Sequence, residues 1–163
     1  MSATPHIIRL RGPWQYEPLE RLRLAADGET VADNASLPPP GEAILPADWT
    51  RTLGADFRGR VRYRRRFGRP TNLAAGQAVW LVLGGVDLRG EAWLNEQPLG
   101  RVDGYREPAR FLVTDRLAER NQLILDVELP PLDFQSEQRL RSDRAGLAGG
   151  PIGEVRLEID PPG

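Results

Sequence analysis

The chain has 163 residues, 40% of them hydrophobic and 28% charged, a size and composition that fit one soluble domain with a single core. Its 22 basic and 23 acidic residues give a net charge of −1, which argues against a nucleic-acid partner, because such partners usually require a basic excess. No apolar run approaches the roughly 20 residues that span a bilayer, and without cysteine there are no disulfides and no thiolate chemistry.

The first residues, MSATPH, lead straight into a strand-like segment. A secretory signal would show a basic region followed by an apolar stretch, and neither is visible. We therefore expect a cytoplasmic protein without a membrane or nucleic-acid partner.

Strand-forming residues at 7–16 surround a Gly-Pro interruption, which predicts a first edge strand, since proline cannot donate to a sheet ladder. His6, the only histidine, is expected in a frayed terminus. Residues 19–26 have helical propensity as an alternative. The Pro- and Gly-rich segment 27–46 predicts a long surface loop, with a short strand at residues 43–45.

Residues 60–67 alternate between an apolar-rich face and a cationic face. The cationic face comprises Arg60, Arg62, Arg64 and Arg66. One interpretation is a stripe that binds a polyanion. The other, which we favour, is a ladder of cross-strand ion pairs with outward acids of other strands, namely Asp126, Glu128, Glu154 and Glu158.

Further strands follow at short intervals. Both faces of residues 79–83 are apolar, which predicts a central strand, and residues 92–94, 123–129 and 155–159 each have one apolar face. Helix is scarce: Thr114 is a plausible N-cap for one or two turns before Asn121. The pattern predicts an all-β, antiparallel β-sandwich of about eight strands that occupies residues 1–163 as one domain.

Several motifs resemble the N-terminal sugar-binding domain of family 2 glycoside hydrolases, a galactose-binding-like jelly roll that precedes the catalytic barrel of β-galactosidases and β-glucuronidases. In chain order they are GPWQY at 12–16, LPADW at 45–49, VRYRRRF at 61–67, LVLGGVD at 81–87, AWLN at 92–95, NQLILDV at 121–127 and GPIGEV at 150–155. Glu96 stands where the family has the glycine of an Asn-Gly hairpin, so we expect a longer loop through Gln97 and Pro98.

The resemblance implies a non-catalytic carbohydrate-binding module, because the catalytic glutamates of the family lie in the barrel. Sugar sites combine an aromatic platform with planar polar side chains. The candidates in predicted loops are Trp49, Asp103, Tyr105, Arg106, Arg141 and Asp143. Trp14, Trp80 and Trp93 lie within predicted strands and are expected to fill the core or cover a sheet.

Two alternatives remain open. The domain could be a structural module that docks on a glycosidase partner or on a second copy of itself. It could also be a small glycosidase that uses paired loop carboxylates, drawn from Asp103, Glu107, Asp133, Glu137 and Asp143. We predict no cofactor and no metal, since the sequence contains no dense cluster of ligands.

Overall fold

The computed structural model describes residues 4–104, 107–131 and 149–162, and these contain eleven strands, one four-residue helix and one 3-10 turn. The strands are β1 (His6–Arg9), β2 (Trp14–Leu24), β3 (Thr30–Ala32), β4 (Gly41–Ala43), β5 (Gly59–Gly68), β6 (Val79–Leu83), β7 (Arg89–Leu94), β8 (Gln97–Asp103), β9 (Ala109–Leu112), β10 (Arg120–Leu129) and β11 (Val155–Ile159). The helix α1 is Thr50–Leu53, and the 3-10 turn is Thr114–Arg116.

The strands form two antiparallel sheets. One has four strands in the order β1-β11-β6-β9, and the other has seven, in the order β3-β2-β5-β10-β7-β8 with β4 also paired to β2. The predicted all-β antiparallel sandwich is confirmed. The structure has more strands than the expected eight. Four of them are short, with three or four residues each: β1, β3, β4 and β9. No helix of the described segments is long and apolar enough to cross a membrane.

The core lies between the two sheets and follows the period-two pattern of the strands. Its buried members from the four-stranded sheet are Val79, Leu81, Leu83, Val155, Leu157 and Ile159, and those from the seven-stranded sheet include Val61, Tyr63, Ala92, Leu94, Leu123, Leu125, Val127 and Leu129. The inward faces predicted for these strands are confirmed. Strand β6 lies between β11 and β9, as its two apolar faces predicted.

The N-terminal segment forms two strands instead of the one edge strand that was expected, and only the first of them is a sheet edge. The chain changes sheets at Gly12-Pro13, so that β1 is an edge of the four-stranded sheet while β2 joins the other. His6 is part of the β1 ladder, opposite Ile159, and is therefore not in a frayed tail. Residues as far as Leu24 remain in β2, which excludes the helical alternative for that stretch.

Two other local predictions need correction. The segment 27–46 contains β3 and β4, and the second of these ends at Ala43, where a strand was expected to begin. The helix expected before Asn121 is a single 3-10 turn, and Thr114 does not cap it. The Thr114 hydroxyl instead accepts a hydrogen bond of 2.9 Å from the backbone N–H of Val79, which fixes the start of β6.

The turn between β7 and β8 is shorter than expected. Asn95 and Glu96 have φ values of 51° and 69°, and Leu94 pairs directly with Gln97. Two consecutive positive φ angles in a two-residue connection are the signature of a type I′ turn. The longer loop through Gln97 and Pro98 is therefore wrong: both residues belong to β8.

Candidate functional site

Trp49, expected to offer a sugar platform, is buried in the core with 1% of its surface exposed. Its ring packs edge-on against Phe57, with 5.4 Å between the ring centroids. Its backbone N–H donates to the carbonyl of Gly149 at 3.0 Å, so a distant part of the chain covers it. The open aromatic face expected at this position is absent, because the fold uses the indole for packing.

Asp103 lies on strand β8 rather than in a loop, and its side chain is 71% exposed. Its carboxylate is 3.7 Å from the Arg101 guanidinium. An exposed carboxylate on an edge strand and the buried Trp49 do not share one surface. The other four predicted sugar-binding residues, Tyr105, Arg106, Arg141 and Asp143, lie outside the described residues, so their role stays a prediction.

Of the carboxylates considered for a glycosidase, Asp133, Glu137 and Asp143 also lie outside the described residues, and Glu107 is exposed. Within 4–104, 107–131 and 149–162, no three His, Asp or Glu side chains come together as a set of metal ligands.

The side chains of the seven-stranded sheet that point away from the core form what we call the outer face. It carries a groove of about 500 Å³ in which strands β5, β10, β7 and β8 all take part. This Trp93 groove is lined by Arg60, Arg62, Arg89, Gly90, Glu91, Trp93, Arg101, Asp126, Val127 and Glu128. The groove thus combines one aromatic ring with many planar charged groups.

The strand register arranges these charges in two rows across the sheet. One row is Glu17, Arg62, Asp126, Glu91 and Arg101, and the next is Glu20, Arg60, Glu128, Arg89 and Asp103. Both rows run across β2, β5, β10, β7 and β8 in that order. Each arginine consequently has acids as its cross-strand neighbours, an arrangement that stabilises a sheet surface.

A bidentate pair of the outer face joins Arg62 and Asp126. The Arg62 Nε and Nη2 groups donate to the two carboxylate oxygens of Asp126, each at 2.8 Å. This hydrogen bonding raises the pKa of Arg62 above its ordinary value, against the opposing effect of partial burial. Paired forks of this kind hold both side chains in one orientation.

The ladder interpretation is confirmed for three of the four arginines on the cationic face of β5. Arg60 and Arg64 pair with Glu20 and Glu17 of β2, at 2.8 Å and 3.8 Å, rather than with the acids expected from the sequence. Glu128 pairs with Arg89 of β7 at 2.7 Å. Of the expected partners, Glu158 belongs to β11 of the other sheet and Glu154 immediately precedes that strand, and they pair there with Arg9, Arg110 and Arg156.

Trp93 is the half-buried aromatic residue of the groove, and its surroundings differ from those of Trp80. Trp80 lies on the outer side of the four-stranded sheet, where the Arg110 guanidinium stacks 5.0 Å from its ring centroid. The Trp80 Nε1–H also donates to Asp160 at 3.1 Å. Within the described part of the chain, no cation stacks on Trp93 and no acceptor engages its indole N–H, so this ring is available to a ligand.

A second groove of about 510 Å³ lies farther along β5 and β10. This Arg66 groove is lined by Arg66, Phe67, Gly68, Asn95, Arg120, Asn121 and Gln122. Arg66 is paired in register with Gln122, and Arg120 with Gly68. Sequence reasoning placed Arg66 in the cationic stripe but missed Arg120 and Gln122, because their proximity depends on the β5–β10 register.

Comparison with known proteins identifies solved structures that share this fold. No protein-family model matches the chain, and no curated protein matches it in sequence. Among solved structures, the β-glucuronidase of Bifidobacterium dentium aligns over 99% of this chain and 31% of its own, at 21% identity and a TM-score of 0.69. The GH2 β-galacturonidase of Eisenbergiella tayi aligns over 96% of this chain and 25% of its own, at 19% identity and a TM-score of 0.62.

A β-glycosidase of Bacteroides vulgatus aligns over 94% of this chain and 20% of its own, at 21% identity and a TM-score of 0.59. The chain thus spans between a fifth and a third of the length of these three proteins. At such identities the likeness shows a shared fold, and the fold expected from the sequence motifs is confirmed.

Proposed function

We propose that this domain is a non-catalytic carbohydrate-binding module that holds a glycan in the Trp93 groove. The observation that carries the proposal is the half-buried ring of Trp93, which no cation of the described residues covers, beside carboxylate and guanidinium groups. The C–H face of a sugar packs on an aromatic ring, while its hydroxyls need planar donors and acceptors. Trp80 has comparable neighbours but is already covered by Arg110.

The ion pairs of the groove support binding rather than catalysis. Both carboxylate oxygens of Asp126 are held by Arg62, and Glu128 is held by Arg89. A carboxylate committed in this way is poorly placed to attack an anomeric carbon, but it can still accept a hydroxyl hydrogen bond through its second lone pairs. The shared fold with parts of glycosidases supports the same class of ligand.

The docking alternative has less support. Of the large apolar side chains that the described residues expose, Leu37 and Ile44 come from the segment 27–46 and Leu112 comes from β9. Single exposed apolar residues are common on soluble proteins and require no partner. The Trp93 groove is the better-formed candidate.

The proposal is tested with Trp93→Ala. We expect the unmutated protein to bind at least one member of a broad glycan array. The variant should bind that glycan about tenfold more weakly, because it lacks a stacking contact of roughly 1.4 kcal/mol. Isothermal titration with the best array ligand measures the loss. Trp80→Ala is the matched control, because it removes an outward indole from the other sheet, and it should retain the affinity of the unmutated protein.

If the unmutated protein binds none of the neutral and acidic glycans of the array, the proposal is contradicted. An equal loss from both tryptophan variants would also contradict it, because binding would then not depend on the Trp93 groove. Circular dichroism and thermal melting of both variants establish that any loss is not caused by unfolding.

A further inference from the structure

We propose that the Arg66 groove is a subsite for the carboxylate or sulfate group of an acidic glycan whose adjoining sugar ring lies in the Trp93 groove. The inference rests on the proposed function for the ring, and it adds the chemical class of the ligand. Arg66 differs from the other three arginines on its face of β5 in having no carboxylate opposite it.

The charge balance of the outer face ends at Arg66. Arg60, Arg62 and Arg64 each have a carboxylate within 4 Å, whereas Arg66 lies opposite the neutral Gln122. Arg120 lies opposite Gly68, which has no side chain. Neither Arg66 nor Arg120 forms an ion pair within the described part of the chain, although both are exposed and line one groove. Two positive charges are therefore available to an anion there.

The floor of the Arg66 groove is fixed by an amide network. The Asn95 Oδ1 accepts from the backbone N–H of Gln122 at 2.9 Å, and its Nδ2 donates to the Asn121 Oδ1 at 2.9 Å. Asn121 is buried, with 2% exposed, and its Nδ2 donates to the carbonyl of Ala118 at 2.9 Å. These amides are occupied, which leaves the guanidinium groups of Arg66 and Arg120 and the Gln122 side chain as the donors that face the groove.

This donor set suits an oxyanion. A guanidinium group offers parallel N–H donors that match a carboxylate or a sulfate, and charge-assisted hydrogen bonds are the stronger kind. A neutral hydroxyl would leave both positive charges uncompensated. The subsite therefore selects for an acidic substituent rather than for a sugar in general.

The two grooves are close enough for one ligand. Trp93 lies opposite Ile124 in the β7–β10 ladder, and Gln122 is the next outward residue of β10. Arg66 lies two strand spacings, about 10 Å, and two residues, about 7 Å, from Trp93 on the sheet, or about 12 Å in all, a distance that two adjoining sugar rings can bridge. A ring stacked on Trp93 thus places the acid group of the neighbouring ring between Arg66 and Arg120.

The test compares three oligosaccharides of equal length: a neutral galacto-oligosaccharide, unsulfated chondroitin with carboxylates only, and chondroitin sulfate. We expect one or both acidic ligands to bind at least tenfold more tightly than the neutral one, with an affinity that falls as salt rises from 50 to 200 mM. Arg66→Gln combined with Arg120→Gln should abolish this preference and leave the affinity for the neutral ligand unchanged. The carboxylate and sulfate arms identify which acid group the site takes.

The matched control is Arg23→Gln combined with Arg51→Gln. These exposed arginines also lack an ion pair within the described residues, and they line neither groove. The control removes the same two charges and should keep the preference for acidic ligands. A preference lost equally in both double variants would reflect net charge and would overturn the subsite.

Failure of the subsite is distinguishable from failure of the proposed function. Binding of all three oligosaccharides with equal affinity would overturn the subsite and leave the module standing. If no glycan binds, a titration with inorganic sulfate followed by NMR still tests the anion site. We expect the side-chain amide signals of Gln122 to shift in the unmutated protein and not in the Arg66/Arg120 variant, and the absence of any shift would overturn the inference.

Discussion

At the scale of single residues, Glu96 shows how the fold overrides a local preference. Its φ of 69° belongs to the left-handed region, which costs a residue with a Cβ atom about 1 kcal/mol or more. Asn95 tolerates this conformation better, and its side chain adds hydrogen bonds to Gln122 and Asn121. The neighbouring ladder therefore holds Glu96 in a conformation that glycine would adopt without strain.

Glu96→Gly should raise the free energy of unfolding by about 0.5–1 kcal/mol, because glycine relieves the strain, although it loses more chain entropy on folding. Urea unfolding measures the gain. Glu96→Ala is the control, since it removes the same charge but keeps a Cβ atom at positive φ. A gain of the same size from alanine would show that charge, rather than backbone conformation, is responsible.

At the scale of elements, the segment at Gly149 and Gly150 fixes the start of α1 against the region that follows β6. Gly149 accepts from Trp49 at 3.0 Å through its carbonyl and donates to the Asp87 carboxylate at 2.7 Å through its N–H. A Cβ atom at Gly149 would overlap the Trp49 ring. Only glycine allows the backbone to lie this close to the indole.

Gly149→Ala compared with Gly54→Ala isolates this close approach. Both glycines have φ near 100°, but a Cβ atom at Gly54 would meet nothing within 4 Å. We expect Gly54→Ala to cost about 1–2 kcal/mol of stability from backbone strain alone. Gly149→Ala should cost about 2 kcal/mol more, because the methyl group forces the indole to move. Equal losses in urea unfolding would exclude a packing role for the missing side chain.

At the scale of the whole molecule, the sandwich encloses a titratable phenol. Tyr63 is 2% exposed, and burial is the main cause that raises its pKa, with smaller contributions from Tyr16 and Asp48. The folded state therefore keeps the phenol protonated at a pH where the unfolded chain releases the proton. The contribution to stability is fully present below about pH 10, the ordinary tyrosine value, and is lost as the pH rises above it.

Global unfolding should consequently become easier in alkali. Between pH 10 and 11 we expect the free energy of unfolding to fall by up to about 1.4 kcal/mol because of Tyr63. Tyr63→Phe should remove this part of the decline, whereas Tyr16→Phe should leave most of it in place, because burial is the main cause. Urea titrations at pH 8, 9, 10 and 11 measure both, and an identical decline in the Tyr63→Phe protein would contradict the assignment.

The sequence predicted the parts of this fold that depend on local alternation. The inward faces of β5, β6, β10 and β11 followed from period-two patterns, because burial decides which parity is apolar. It did not predict the change of sheet at Gly12-Pro13, since alternation does not say which sheet a strand joins. It also placed Trp49 on the surface, because its neighbours in sequence are polar. In the structure Trp49 is buried, and Gly149, a residue far along the chain, lies against it.

Only part of the candidate site could be predicted from the sequence, because local alternation does not say which strands are neighbours. Trp93 shares its outward parity with Glu91, so a sheet-covering position was predictable. The pairing of Asp126 with Arg62, and the nearness of Arg120 to Arg66, depend on the β5–β10 register. Register is set by the whole sheet and the turns that connect it, and one strand does not encode it.

The pairing of β1 with β11 has a practical consequence for engineering. His6 lies opposite Ile159, so the polypeptide enters and leaves the sandwich about 5 Å apart, one strand spacing, at the same corner. The sandwich could therefore be inserted into a surface loop of a host protein without forcing the two ends of that loop apart. A short tether across that corner would likewise suit a circularly permuted version.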